Sequence, residues 1–144
     1  MEKNALSKED VMVKDIAIIE VQKFVEKWTY EKPEEWEVEE TYPQLLKAVQ
    51  KGLLIFDKEY KPTFTLAFPI KSEGENFNVE TITFRTRIKP NDLSNISKGL
   101  NLAKQQVEHV LRCIAYIIGE SKGIINKFEK FDYKVIEQVS TVFF

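Results

Sequence analysis

From Ile18 the apolar positions recur every three or four residues, at Ile18, Val21, Val25 and Trp28, with Phe24 beside them. That spacing predicts one face of an amphipathic helix of about four turns. Asp15 is a candidate N-cap, and Ser7 with Asp10 an earlier one, while residues 1–10 are expected to fray. The β-branched run VMVKDIAIIEV keeps a strand open as the competing reading. The period then disappears. EKPEEWEVEE, residues 31–40, holds six Glu, one Lys and a proline. So dense a run of like charge predicts a linker, with Trp36 and Val38 able to pin it to the body or to a partner. TYPQLLKAVQKG, residues 41–52, predicts a second helix. Thr41 is its expected N-cap, Gln44 stands at the reciprocal capping-box position, and Pro43 is tolerated in the first turn. Leu45, Leu46 and Val49 form its apolar face, and Gly52 is suited to a left-handed C-cap.

The period next falls to two. LLIFD reads as a short strand and DKEYKP as a turn. In TFTLAFPI, Phe64, Leu66, Phe68 and Ile70 alternate with Thr63, Thr65, Ala67 and Pro69. One face of that strand is apolar, and Pro69 places its end there or puts it at a sheet edge. KSEGEN is a turn. In NVETITFRTRI, Ile82, Phe84 and Ile88 share one parity and Thr81, Thr83 and Arg85 the other. Residues 53–88 thus predict a three-stranded antiparallel meander with one wet face, which needs helices to cover its apolar side.

Those helices follow. Pro90 ends the strand, Asp92 can cap a helix, and Gly99 is placed to break it. From Leu100 onward Ala103, Val107, Val110, Leu111, Ile114, Ile117 and Ile118 make a broad apolar stripe, closed by Gly119. Ile124, Ile125, Phe128 and Phe131 form another cluster. Asp132 is the expected cap of a last helix carrying Val135, Ile136, Val139, Val142 and Phe143.

Composition changes this picture little. The 144 residues are 43% hydrophobic and 31% charged, ordinary for a globular chain able to bury a core. No apolar run approaches the roughly 18 residues of a membrane span, and the polar N-terminus lacks a signal-peptide core. Residues 1–84 carry 11 Lys/Arg and 17 Asp/Glu, net −6, and residues 85–144 carry 10 and 6, net +4. The basic residues are scattered without a cluster, which argues against nucleic acid as a partner. One cysteine, Cys113, excludes an intrachain disulfide and fits a reducing, cytoplasmic compartment.

Candidate chemistry is sparse. His109 and Cys113 share a helix face at i, i+4, but no other His or Cys exists to complete a metal site. Two residues on one turn also rarely meet with the geometry of a nucleophilic pair. The five glycines stand singly beside expected element boundaries, so no phosphate-binding loop is present. The sequence therefore predicts no catalytic residue, no cofactor and no metal. Phenylalanine is the unusual feature, with ten in all and two closing the segment VSTVFF. Such an apolar end either packs into the core or meets a partner.

Four segments taken in order carry a resemblance. PTFTLAFPI, ETITFRTRIKPNDL, VEHVLRCIAYIIGES and INKFEKFDYKVIEQVSTVFF run from residue 62 to 144. In them an apolar-Thr-apolar strand leads through Arg/Lys and Pro to an Asp-Leu helix start. A central helix then ends in Gly, and a last helix ends in Phe. This order resembles the small tail assembly chaperones of Mu-like and P2-like contractile-tailed phages, over about 80 of the 144 residues. The capped helix at 41–52 and everything before it fall outside the likeness, as an additional N-terminal module. The resemblance implies a non-enzymatic factor acting in the host-cell cytoplasm. Such a factor coats the tape-measure protein, keeps its long apolar helices soluble while the tail tube grows, and then leaves.

The expectations are therefore an α+β fold, with a small meander over 53–88 covered by C-terminal helices and preceded by an N-terminal helical segment. Residues 1–40 are expected to be that helix and the acidic linker, and 41–144 a single α+β domain. The function expected is a tail assembly chaperone or adaptor with a tape-measure or other tail protein as partner. Homo-oligomers are allowed, and neither nucleic acid nor membrane is expected to bind. The alternatives are a stable structural component of a phage tail or tail-like particle, strapped on by the arm carrying Trp28, Tyr30 and Trp36, or an unrelated soluble protein-binding module. The expected partner-binding residues are Leu100, Val107, Leu111, Ile114, Ile118, Phe128, Phe143 and Phe144.

Overall fold

A computed structural model describes residues 10–72 and 77–144. Its elements run α1 (Lys14–Thr29), α2 (Glu35–Thr41), α3 (Pro43–Gln50), β1 (Leu54–Phe56), β2 (Pro62–Ser72), β3 (Phe77–Thr83), α4 (Pro90–Ile96), α5 (Gln106–Ile118), α6 (Lys122–Ile125) and α7 (Lys130–Phe143). The fold is α+β. Among the described residues a three-stranded antiparallel sheet in the order β1-β2-β3 is preceded by three helices and followed by four. The cap expected at Ser7 and most of the turn at 71–76 lie outside the described residues.

The helical reading of residues 14–29 holds over the strand alternative. Ala17, Ile18, Val21, Phe24 and Val25 are buried, and Asp15 lies inside the first turn rather than capping it. The expected linker is instead largely helical. Glu34 and Glu37 form a capping box at the start of α2, and the Glu34 backbone N–H donates to Glu37 Oε1 at 2.8 Å. Acidic residues there lie at the favourable end of the helix dipole. Val38 is fully buried and Lys14 forms an ion pair with Glu39, so the charge density is offset on one face. Position 40/41, the expected domain boundary, falls inside α2.

Thr41 is accordingly the last residue of α2 and not the cap of α3. The orphan N–H groups of α3 are met from 94 residues away. Gln138 Oε1 accepts from the backbone N–H of Gln44 at 3.0 Å and of Leu45 at 2.9 Å, and its Nε2 donates to Gln44 Oε1 at 2.6 Å. Leu45, Leu46 and Val49 are buried as their spacing predicts, and Gly52 takes φ 75°.

In the sheet, Thr65, Thr81 and Thr83 face outward while Phe64, Leu66, Ile70 and Ile82 are buried. Pro69 neither ends β2 nor marks an edge. It lies in a bulge of the central strand, where the register passes from Thr65 opposite Thr81 to Ile70 opposite Val79. A proline is accommodated there because no ladder N–H is required of it. The bulge releases the N–H groups of Ala67 and Phe68, and the buried carboxylate of Asp132 accepts both, at 2.9 and 3.0 Å. Asp132 is thus the anchor between α7 and β2 rather than the cap of α7, which is Glu129. β3 ends at Thr83, five residues before the expected Ile88. The Arg85 N–H turns away to donate to the Ile117 carbonyl of α5 at 2.7 Å.

One buried cluster joins α1, α2, α3, the sheet, α5, α6 and α7. α7 packs against α1, α3, α5 and β2, which makes it the central pillar of the described fold.

Candidate functional site

α5 begins only at Gln106, because residues 101–105 fold as a turn. Asn101 Oδ1 accepts from Ala103 N–H at 3.1 Å, and Gln105 Oε1 from Asn101 N–H at 2.8 Å. Gly119 ends the helix at φ 70°. One side of α5 is committed to its neighbours. Arg112 Nη1 donates to the carbonyls of Ile96 and Lys98 at the end of α4, and Lys122 Nζ donates to both carboxylate oxygens of Glu108.

The opposite side borders a groove. His109, Val110, Cys113 and Ile114 of α5 face Glu137, Ser140, Thr141 and Phe144 at the end of α7, with Leu93 of α4 completing the wall. The spacings i, i+4 on α5 and i, i+3, i+4, i+7 on α7 are those of single helix faces. The groove encloses about 250 Å³ and its walls are almost wholly apolar. Leu93, Val110 and Phe144 remain 42%, 40% and 45% exposed at its edges, while Ile114 forms a buried floor. Ser140 is buried as well, and among the described residues its hydroxyl is the one buried side-chain polar atom without a hydrogen-bond partner.

Cys113 Sγ lies 3.7 Å from His109 Nε2 in the groove wall. Burial pushes the Cys113 thiol up, the reverse of the activation a nucleophilic cysteine needs. The pair fits a packed thiol beside an imidazole better than a reacting couple. Among the described residues no group of three or more His, Cys, Asp or Glu side chains is arranged to hold a metal ion. No helix of the described residues is long and apolar enough to cross a membrane.

The eight residues expected to meet a partner are not brought together. Ile114 and Phe144 line the groove, and Val107, 75% exposed, lies one turn before Val110 on the same face of α5. Leu111 is half-buried against the core, and Ile118 is buried within it. Leu100 is half-buried on the connection before α5 and is not helical. Phe128 packs against the core between α6 and α7. Phe143 is a core residue in the main, its ring 5.9 Å from Phe24 and 5.4 Å from Trp28 between centroids. Leu93, Val110 and Ser140 were absent from the expected set. Val110 belonged to the apolar stripe, but nothing in the local sequence marks the other two as neighbours of α5.

Comparison with protein-family models, with curated proteins and with solved structures finds no match in any of the three.

Proposed function

We propose that this chain is a non-enzymatic assembly factor of the tail-assembly-chaperone kind. It holds a long amphipathic helical partner, such as a tape-measure protein, in the host-cell cytoplasm while a phage tail or tail-like particle is built. The observation that carries this reading is the apolar groove between α5 and α7, open to solvent and edged by exposed Leu93, Val110 and Phe144. An amphipathic helix docks by laying apolar anchors at i, i+3, i+4 and i+7 into a groove of this kind. Exposed large apolar side chains gathered at one place mark interaction surfaces. The succession of strand, strand and helices from residue 62 supports the reading, since it follows the order on which the resemblance rests.

A second reading, a structural component retained in the particle, is favoured by a different surface. Trp36 is 60% exposed on acidic α2, and Tyr30 is 92% exposed just before it. Aromatic side chains placed so suit a strap onto a neighbouring subunit. The two readings separate on whether the protein is found in purified particles.

Co-expression with the longest helix-rich product encoded beside its gene tests the first reading. The expected result is that the partner becomes soluble and co-purifies, and that Val110→Glu abolishes co-purification while the variant stays folded. A partner that is equally soluble without this chain contradicts it.

A further inference from the structure

We propose that the helix held in this groove anchors itself with a tyrosine, whose phenol enters between α5 and α7 and hydrogen-bonds to the Ser140 hydroxyl. The inference deepens the helix-holding reading of the groove and rests on it. The observation behind it is Ser140 itself. It lines the groove, it is 3% exposed, and among the described residues its hydroxyl has no hydrogen-bond partner. A buried hydroxyl is normally paired, so one left single in the wall of an open groove marks where an occupant supplies the missing bond.

The other polar groups of the walls have partners within the chain. Thr141 Oγ1 donates to the Gln138 carbonyl at 2.7 Å, Glu137 pairs with Lys134 at 3.6 Å, and His109 and Cys113 meet each other at 3.7 Å. Ser140 is the group that the groove leaves for a ligand.

Size and chemistry then select the anchor. One turn of a helix roughly 10 Å across fills on the order of 400 Å³, whereas the groove encloses about 250 Å³. The partner's backbone therefore stays at the rim and one side chain goes in. The body of that side chain must be apolar, to meet Val110, Ile114 and Phe144, and its tip must hydrogen-bond. Leucine and phenylalanine have no such tip. A carboxylate would meet Glu137, and an ammonium group would enter walls that are almost wholly apolar. An indole N–H only donates, whereas a phenol pairs with a serine hydroxyl in either direction. The phenol ring also packs against the ring of Phe144, which is 45% exposed at the groove edge.

Two small probes test this on the full chain: p-cresol, which is the tyrosine side chain alone, and toluene, the same ring without the hydroxyl. Binding is followed by methyl NMR at Val110 and Ile114, in the wild type and in Ser140→Ala. In the wild type both probes are expected to shift these methyls, with p-cresol bound at least as tightly as toluene. Ser140→Ala is expected to weaken p-cresol by about tenfold and to leave toluene unchanged. Neither probe reaching these methyls overturns the proposal, and so does a Ser140→Ala variant that binds p-cresol as the wild type does or loses both probes equally. The two readings fail separately. A helical partner that co-purifies while p-cresol ignores Ser140 keeps the helix and sinks the tyrosine anchor. A partner left behind on co-expression sinks the helix-holding reading, even where p-cresol binding depends on Ser140.

Discussion

Asp132 shows how one side chain can be legible in kind and not in role. Its place at the start of an apolar period reads as a helix cap, yet its carboxylate is wholly buried and accepts the two N–H groups that the β2 bulge sets free. Burial raises its pKa above the usual carboxylate value, and the nearby Glu129 adds to this, against the lowering effect of the two donors. A folded pKa above the unfolded one contributes stability that is fully present below the unfolded pKa. That stability is lost as pH rises through the folded pKa. Exposed Asp57 and half-buried Asp92 and Glu108 are shifted the other way by hydrogen bonds from backbone or cation, so they favour the fold as pH rises. The Asp132 contribution is therefore isolated as a difference. The melting temperature of the wild type minus that of Asp132→Asn is expected to fall as pH rises from below about 4, and a difference that grows with pH would contradict this assignment. Asp132→Ala leaves two buried donors unpaired and is expected to cost about 2–4 kcal/mol by chemical denaturation. Ser140 carries the opposite expectation. Its unpartnered hydroxyl is a cost in the folded chain, so Ser140→Ala is expected to stabilise by about 1 kcal/mol. A loss of similar size would mean that the hydroxyl is bonded after all.

At the scale of elements, α7 decides which of the closing aromatics belongs to the fold. Phe143 packs on Phe24 and Trp28, whereas Phe144 is at the groove edge. Phe143→Ser is expected to destabilise by about 2 kcal/mol or more, and Phe144→Ser to leave the melting temperature within a degree or two. Equal losses from both would place Phe144 in the core and remove one wall of the proposed seat. The elements readable in advance were those fixed by local period and by punctuation. α1, α3, the meander and α7 follow from spacing, and Gly52 and Gly119 stand at positive φ where helices end. Apart from the local Glu34–Glu37 capping box, what was misread depended on partners remote in sequence. α2 is stabilised by Val38 and by the Lys14–Glu39 pair, α3 is capped by Gln138, and the β2 bulge is fastened by Asp132. No window of ten residues contains those terms. The groove was half legible for the same reason. Val110 and Ile114 on its α5 side belong to one apolar stripe, while Leu93 and Ser140 reach it from two other helices.

The whole molecule combines a core packed around α7 with a groove whose apolar lining is not covered by the described residues. On the proposed reading, a helix laid along α5 and α7 would cover that lining. The measurement that tests this most directly is the mass, by light scattering, of the complex formed when the chain is co-expressed with the long helix-rich product encoded beside it. The expected result is a soluble assembly in which several copies of the chain accompany each partner, reduced by Val110→Glu to the free variant alone. A wild-type chain that elutes at its own mass and leaves the partner behind would contradict it.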